Sequence, residues 1–84
     1  MDISRNEQRI LHLLAQGGRI EVEKDSKNIK AAICLTRDGW RYPDFDLVLF
    51  RKLRRKKAVA SSGGGPYRIT RRGIELVRSE LDNR

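Results

Sequence analysis

The chain has few of the residues that define disulfide-rich, secreted or membrane proteins. Its single cysteine, Cys34, cannot form an intramolecular disulfide, which is typical of proteins in a reducing compartment. No apolar run approaches the roughly 20 residues that a membrane-spanning helix requires. Residues 1–8 also lack the charged and then apolar pattern of a secretory signal. These absences predict a cytoplasmic protein that has no membrane partner.

Catalytic and metal-binding groups are scarce as well. The one histidine, His12, lies among leucines and has no recognisable Cys, His or carboxylate partners. The glycines at 63–65 lack the Lys-Ser/Thr that a phosphate-binding loop requires, so they predict a flexible turn. Asp44 and Asp46 flank a helix start, where carboxylates suit capping better than catalysis. We therefore predict a protein that is not an enzyme and that has no cofactor and no metal.

Acidic residues are absent from residues 51–72, which we call the basic segment. Residues 1–50 hold eight basic and eight acidic side chains, and residues 73–84 hold two basic and three acidic ones. The whole net charge of +8 therefore arises in the basic segment. Its nine basic residues are Arg51, Lys52, Arg54, Arg55, Lys56, Lys57, Arg68, Arg71 and Arg72.

The basic segment has two interpretations. It is either a solvated surface that keeps a small protein soluble, or a binding surface for a polyanion. Uncompensated like charges repel one another and oppose folding, which favours the second interpretation. We therefore identify the nine residues as candidates for binding nucleic acid or an acidic partner. Arg51, Lys52 and Arg55 on a helix, with Arg68 on a hairpin, are the candidate phosphate contacts.

The remaining composition predicts one small domain with a modest core, since the chain has 84 residues and 38% hydrophobic content. Ser4 lies three residues before Glu7, which is the spacing of a capping box. The apolar residues that follow have helical spacing, so we predict a helix from about Arg5 to Gln16. Gly17 and Gly18 end it.

Residues 19–42 alternate with the period of two that is typical of strands. Ile20 and Val22 alternate with charged neighbours. A second run places Ile29, Ala31, Ile33 and Leu35 on one face and Lys30, Ala32 and Cys34 on the other. Residues 25–28 and 37–40 have the composition of tight turns. Trp40 and Tyr42 are expected on one face of a short third strand, either as a lid over the sheet or as a stacking platform.

Helical spacing returns from Phe45 to about Lys57, with Leu49, Phe50 and Leu53 on the apolar side. Residues 58–60 and 67–69 are short strand candidates on either side of a glycine-containing hairpin tip. Thr70 is a helix N-cap, and Ile74, Val77 and Leu81 form the predicted buried stripe of the last helix. Together the segments predict a single α+β domain over residues 1–84: helix, antiparallel β-meander, basic helix, wing-like β-hairpin, helix.

The segment from about residue 44 to residue 81 resembles the second half of a winged helix-turn-helix domain. In such domains a recognition helix precedes a β-hairpin wing, and a Thr within a Tyr-x-Leu-Thr-x-x-Gly pattern caps the next helix. Tyr67, Ile69, Thr70 and Gly73 match that pattern. Residues 19–42 depart from it, because they alternate as strands where such domains have a helix. The resemblance implies a winged-helix DNA-binding transcription regulator, which is the alternative function.

Nearly the whole chain resembles the YjhX-like family of small bacterial proteins. The residues that carry this resemblance are Ser4-Arg5-x-Glu7-Gln8-Arg9, Leu11-His12-x-Leu14-Ala15-x-Gly17-Gly18-Arg19-Ile20, Phe50-x-Lys52-Leu53, Lys56-Lys57, Pro66-Tyr67-Arg68-Ile69-Thr70 and Asp82-Asn83-Arg84. Membership implies the toxin of a chromosomal toxin–antitoxin pair that inhibits DNA topoisomerase I. It also implies an antitoxin that resembles an acetyltransferase. The expected partners are DNA topoisomerase I, duplex DNA or both, and the oligomeric state is left open.

Overall fold

The first helix begins and ends where the sequence predicts. The structure is a computed structural model, which describes residues 3–82 and, within them, the side chains of residues 3–78. Helix α1 spans Arg5–Ala15. The Glu7 amide donates a hydrogen bond to Ser4 Oγ over 3.2 Å, and the Ser4 amide donates to Glu7 Oε1 over 2.9 Å. This reciprocal pair confirms the capping box.

Within residues 3–82, five short strands form one antiparallel sheet. The remaining elements are β1 (Arg19–Asp25), β2 (Asn28–Leu35), β3 (Arg41–Tyr42), α2 (Leu47–Arg55), β4 (Val59–Ser61), β5 (Tyr67–Ile69) and α3 (Arg71–Asp82). The strand order is β3-β2-β1-β5-β4. Ile20 of β1 pairs with Tyr67 of β5, so the meander and the C-terminal hairpin belong to the same sheet. The predicted α+β class is confirmed, whereas this joining pair has no signal in the local pattern.

A bulge changes which face of β2 is buried. Glu23 pairs with Ala31, but its neighbour Lys24 pairs with Ile29, so Lys30 is an extra residue on β2. The extra residue reverses the alternation. Ile29 therefore packs on the core together with Ala32 and Cys34, and Cys34 is fully buried. The prediction that Ile29, Ala31, Ile33 and Leu35 share one face is wrong because simple alternation assumes an uninterrupted strand.

Trp40 and Tyr42 do not share an environment. The Thr36 amide donates to the Trp40 carbonyl over 2.8 Å, and the Trp40 amide donates to Thr36 Oγ1 over 3.0 Å. These bonds close a turn in which Gly39 has a φ of +91°. Trp40 therefore ends the turn and is 74% exposed, while Tyr42 pairs with Cys34 and packs against the core. The expected lid role is wrong for Trp40.

The buried stripe of α3 also differs from the prediction. Thr70 caps the helix, since its Oγ1 accepts a hydrogen bond from the Gly73 amide over 3.1 Å. Val77 is buried as predicted, together with Gly73 and Leu76, whereas Ile74 is 38% exposed. The first turn of α3 approaches the rest of the protein closely at Gly73, which sets the face that turns inward. The predicted position of Leu81 lies outside the described side chains.

In the part of the chain that the structure describes, three helices cover one face of the sheet around a shared core. The core cluster is Ile10, Leu11, Leu14, Ile20, Ala32, Cys34, Phe50, Leu53, Ala58, Val59, Leu76 and Val77. Phe50 of α2 meets Tyr67 of β5 edge to face, with ring centroids 4.9 Å apart. Asp46 Oδ1 accepts a hydrogen bond from the Leu49 amide over 2.8 Å and caps α2. Within residues 3–82, no helix has the length and apolar composition needed to cross a bilayer.

Candidate functional site

Helix α2 carries exposed cations on the parts of its surface that do not pack on the core. Its inward residues are Phe50 and Leu53, both fully buried. Its exposed cations are Arg51, Lys52, Arg54 and Arg55. Among the described residues, none of these four lies within ion-pair distance of an acid. Their charge is therefore directed to solvent, as a surface for binding an anion requires.

Lys56 is different from its neighbours because its ammonium group faces the protein. Lys56 Nζ donates a hydrogen bond to Glu7 Oε2 over 2.7 Å, and Glu7 is only 3% exposed. Burial alone would raise the pKa of Glu7. The bonds and positive charge of Lys56, with the bonds from Ser4, outweigh this and hold its pKa below the ordinary value. Lys56 thus joins α2 to α1, and no local pattern in the sequence indicates a pair 49 residues apart.

Lys57, Arg71 and Arg72 lie around the junction of α2 and α3. Lys57 follows α2 in the left-handed conformation, with a φ of +59°. Its carbonyl oxygen accepts a hydrogen bond from Thr70 Oγ1 over 2.7 Å, which brings Lys57 close to the first turn of α3. All three basic side chains are exposed. They form a second group of cations, and Arg71 and Arg72 oppose the helix dipole there.

Arg68 lies on the other side of the sheet. It alternates along β5 with Tyr67, whose ring contacts Phe50 of α2. Successive side chains of a strand point to opposite faces, so Arg68 points away from α2. Its partner across the hairpin is Ala60, which is exposed as well. The fold therefore does not bring Arg68 next to the cations of α2.

Two lysines outside the basic segment join the cations of α2. The tip of the β1–β2 hairpin lies beside α2, and together they form a cleft of about 280 Å³, which we call the hairpin cleft. Its lining residues are Lys24, Lys27, Asn28, Ile29, Phe50, Arg51, Arg54 and Tyr67. The charges of the sequence do not single out Lys24 and Lys27, because residues 1–50 contain as many acidic as basic side chains. Only the position of the hairpin tip, which depends on tertiary packing, reveals them.

A second concave surface lies between α1 and residues 36–42. This open groove has a volume of about 690 Å³, and we call it the α1 groove. It is lined by Gln8, Arg9, His12, Leu13, Gln16, Thr36, Arg37, Asp38 and Tyr42. His12 is exposed and lies 3.3 Å from the side-chain amide of Gln16, measured from Nε2 to Nε2. In the part of the chain that is described, no three His, Cys, Asp or Glu residues are placed to hold a metal ion.

The fold and its exposed cations define a small basic α+β protein. The chain belongs to the YjhX toxin family, whose model matches residues 1–84 and is described as "putative toxin of bacterial toxin-antitoxin pair". The family resemblance of the sequence is thereby confirmed. Membership also implies that the protein has an antitoxin as a partner.

Relatives from several rhizobia are similar over almost the full length. A UPF0386 protein of Rhizobium rhizogenes is 71% identical over 85 residues, which cover all of both chains. One of Mesorhizobium japonicum is 77% identical over 78 residues, or 92% of this chain and 79% of the relative. One of Sinorhizobium fredii is 69% identical over 84 residues, again all of both chains. No solved structure matches this chain, so the winged-helix likeness of residues 44–81 stays a prediction.

Proposed function

We propose that this protein inhibits DNA topoisomerase I by binding the enzyme, its DNA, or both. The observation that carries the proposal is the family match over residues 1–84, because it makes the chain a member of a toxin family. A toxin must impair an essential process of the cell. Control of DNA topology is such a process, and it involves a polyanion that a basic protein can bind.

Inhibition by occupancy is the mechanism that the exposed side chains support. Arg51, Lys52 and Arg55 lie on the outer face of α2, where they can contact phosphates or carboxylates without rearrangement of the core. Guanidinium groups bind such anions through paired hydrogen bonds. In this mechanism the protein acts without catalysis and covers a surface that the enzyme or its substrate needs. We propose a cytoplasmic, single-domain protein whose antitoxin resembles an acetyltransferase.

Relaxation of supercoiled plasmid by purified DNA topoisomerase I tests the proposal. We expect the protein to inhibit relaxation at near-stoichiometric amounts, and we expect added salt to weaken the inhibition. The triple variant Arg51→Glu, Lys52→Glu, Arg55→Glu should lose most of the inhibition. Full enzyme activity in the presence of a stoichiometric excess of the protein would contradict the proposal.

A matched variant separates the surface of α2 from net charge. The triple variant Arg9→Glu, Arg37→Glu, Arg41→Glu changes the charge equally at exposed positions away from α2. It should keep inhibition closer to that of the unmodified protein. Equal loss in both triple variants would show that only overall charge matters, and it would exclude α2 as the contact surface.

A DNA-binding transcription regulator is the second candidate. It is favoured by one observation: Arg54 of α2 lies 6.0 Å from the ring centroid of Tyr67, so the basic helix lies beside the β4–β5 hairpin. A recognition helix next to a hairpin is the arrangement that winged-helix regulators use. A regulator would bind particular duplex sequences without the enzyme. Selection of binding sites from random duplexes would yield a consensus sequence for a regulator and none for an inhibitor that binds only backbone.

A further inference from the structure

We infer that the hairpin cleft is a binding site for a backbone phosphate of a nucleic-acid strand. The inference rests on the proposed function for naming that strand as DNA. The cleft lies where the tip of the β1–β2 hairpin meets α2, and it includes Lys24 and Lys27, which are outside the basic segment. The cleft therefore combines cations from two parts of the chain, whereas the outer face of α2 carries cations from one helix only.

Four cations converge on the cleft from two distant parts of the chain. Lys24 lies near the end of β1 and Lys27 lies in the hairpin turn, while Arg51 and Arg54 are one helical turn apart on α2. Among the described residues, the lining contains no acid, and none of the four cations forms an ion pair. Like charges brought together in this way repel, and a bound anion removes that repulsion.

The floor of the cleft strengthens the attraction for an anion. Phe50 is fully buried, while Ile29 and Tyr67 are partly buried against the core. These apolar side chains lie beneath the cations, and the low dielectric constant of the protein interior strengthens the field of the cations above it. Arg54 is also positioned over the Tyr67 ring, which restrains its guanidinium group at the edge of the cleft. The cations are thus held near an apolar surface.

The arrangement of donors suits phosphate better than carboxylate. A carboxylate has two oxygens in one plane, whereas a phosphodiester presents its oxygens tetrahedrally and continues into neighbouring anionic groups. Two ammonium groups on one wall and two guanidinium groups on the other can approach such a group from opposite sides. The Asn28 side chain supplies a further amide donor at the lining. The neighbouring phosphates of the strand can then reach Lys52 and Arg55 along α2.

Binding of a fluorescently labelled DNA duplex, followed by anisotropy at several salt concentrations, tests the site. The double variant Lys24→Gln, Lys27→Gln should bind about tenfold more weakly at low salt, and its slope of log K against log salt should fall by about one to two. The matched double variant Arg9→Gln, Arg37→Gln removes the same charge from the α1 groove. Its affinity should change by less than about threefold.

Equal weakening in the two double variants would overturn the site, because it would show a response to net charge alone. Amide chemical shifts of the unmodified protein give an independent readout. On addition of the duplex we expect the largest shifts at residues 24–28 and 51–54. Shifts confined to other residues would also overturn the site. Thermal unfolding of both variants is the control for an intact fold. We expect it to be unchanged, because all four substituted side chains are exposed.

The relaxation assay on the same variants separates this site from the proposed function. If the Lys24→Gln, Lys27→Gln variant loses DNA binding and still inhibits topoisomerase I, the result supports the phosphate site and contradicts inhibition through DNA. If the variant keeps DNA binding, the result contradicts the phosphate site and leaves inhibition through α2 supported. Measuring the affinity for an RNA strand of the same sequence shows whether the bound phosphate belongs to DNA or to RNA. Tighter binding of RNA at the cleft supports the site and contradicts DNA as its ligand.

Discussion

At the scale of single residues, Glu7 has two roles in the protein. Its carboxylate accepts hydrogen bonds from the Ser4 amide and from Lys56 Nζ, one on each oxygen. The first bond caps α1, and the second joins α1 to the end of α2. The capping role was predictable because it depends on residues three positions apart. The ion pair was not, because it depends on how two helices pack.

The substitution Glu7→Gln tests the ion pair. Gln can still cap the helix, but it removes the negative charge beside the Lys56 ammonium group in a mostly buried place, so we expect the free energy of unfolding at pH 7 to fall by about 2 kcal/mol. The folded protein holds the pKa of Glu7 below its ordinary value of 4.5. The stabilisation by Glu7 is therefore complete above about pH 4.5 and is lost as the pH falls through the lowered pKa.

Urea unfolding between pH 3 and pH 7 measures this effect. The difference between the original protein and Glu7→Gln should shrink as the pH falls. The control is Glu23→Gln, which removes the exposed pair with Lys30 and should change the free energy by less than about 0.5 kcal/mol. A difference between the proteins that stays constant with pH would contradict the role assigned to the charge of Glu7.

At the scale of elements, the position of α3 is set by one glycine. A Cβ atom at Gly73 would lie 2.5 Å from the Ala58 carbonyl oxygen and 2.7 Å from Cγ1 of Ile69. The Thr70 amide donates to the same Ala58 carbonyl over 2.9 Å. The first turn of α3 is thus held against the start of the β4–β5 hairpin. This contact gives a physical reason for the glycine that follows Thr70 by three residues.

The substitution Gly73→Ala should move α3 away from the hairpin. We expect the free energy of unfolding to fall by about 2 kcal/mol, because the clash with backbone exceeds the gain of about 1 kcal/mol in helix propensity. Urea unfolding measures the change. Arg72→Ala is the control, since it alters an exposed residue of the same turn and should have almost no effect. A Gly73→Ala variant that is at least as stable as the original protein would contradict the contact.

The sequence predicts the elements better than it predicts their faces. Helix α1, the cap residues Asp46 and Thr70, and both hairpins are where local patterns predict them. The buried face of β2 is not, because a bulge at Lys30 reverses its alternation. That of α3 is only partly so, because Val77 is buried as predicted but Gly73 and Leu76 face inward where Ile74 is predicted to. Such differences come from register and packing, which local periodicity does not contain.

The same limit applies to the candidate site. The sequence correctly identifies α2 as a basic helix with an apolar face, because both features follow from spacing within one helix. It cannot separate Lys56, which pairs with Glu7, from the exposed cations beside it. It also cannot add Lys24 and Lys27, since their place next to α2 depends on the length and direction of a hairpin.

At the scale of the whole molecule, one core joins the two halves of the chain. Cys34 in the meander is fully buried in the same cluster as Phe50 and Val77, which lie in the C-terminal half. Burial raises the pKa of the Cys34 thiol to about 11. The thiolate is the reactive form, so the thiol of the folded protein should be almost inert near neutral pH. Its reactivity therefore reports opening of the core.

Unfolding of the two halves should be one event. In increasing urea, we expect modification of Cys34 by a thiol reagent and loss of helical circular dichroism to have the same midpoint. The physical reason is that α1, α2 and α3 all pack on the face of the sheet that contains Cys34. A short pulse of reagent at each urea concentration measures exposure. Modification well below the circular dichroism transition would contradict a single cooperative core.

The pairing of Ile20 with Tyr67 also affects the order in which the fold can be completed during synthesis. The edge of β1 that receives β5 stays open until the ribosome has added residue 67, since its hydrogen-bonding groups have no partner strand before then. A translation product that stops earlier also lacks Leu76 and Val77 of α3 from its core. Products that stop before Tyr67 should therefore be degraded, and α2 is presented on a complete core only by chains that extend past Val77.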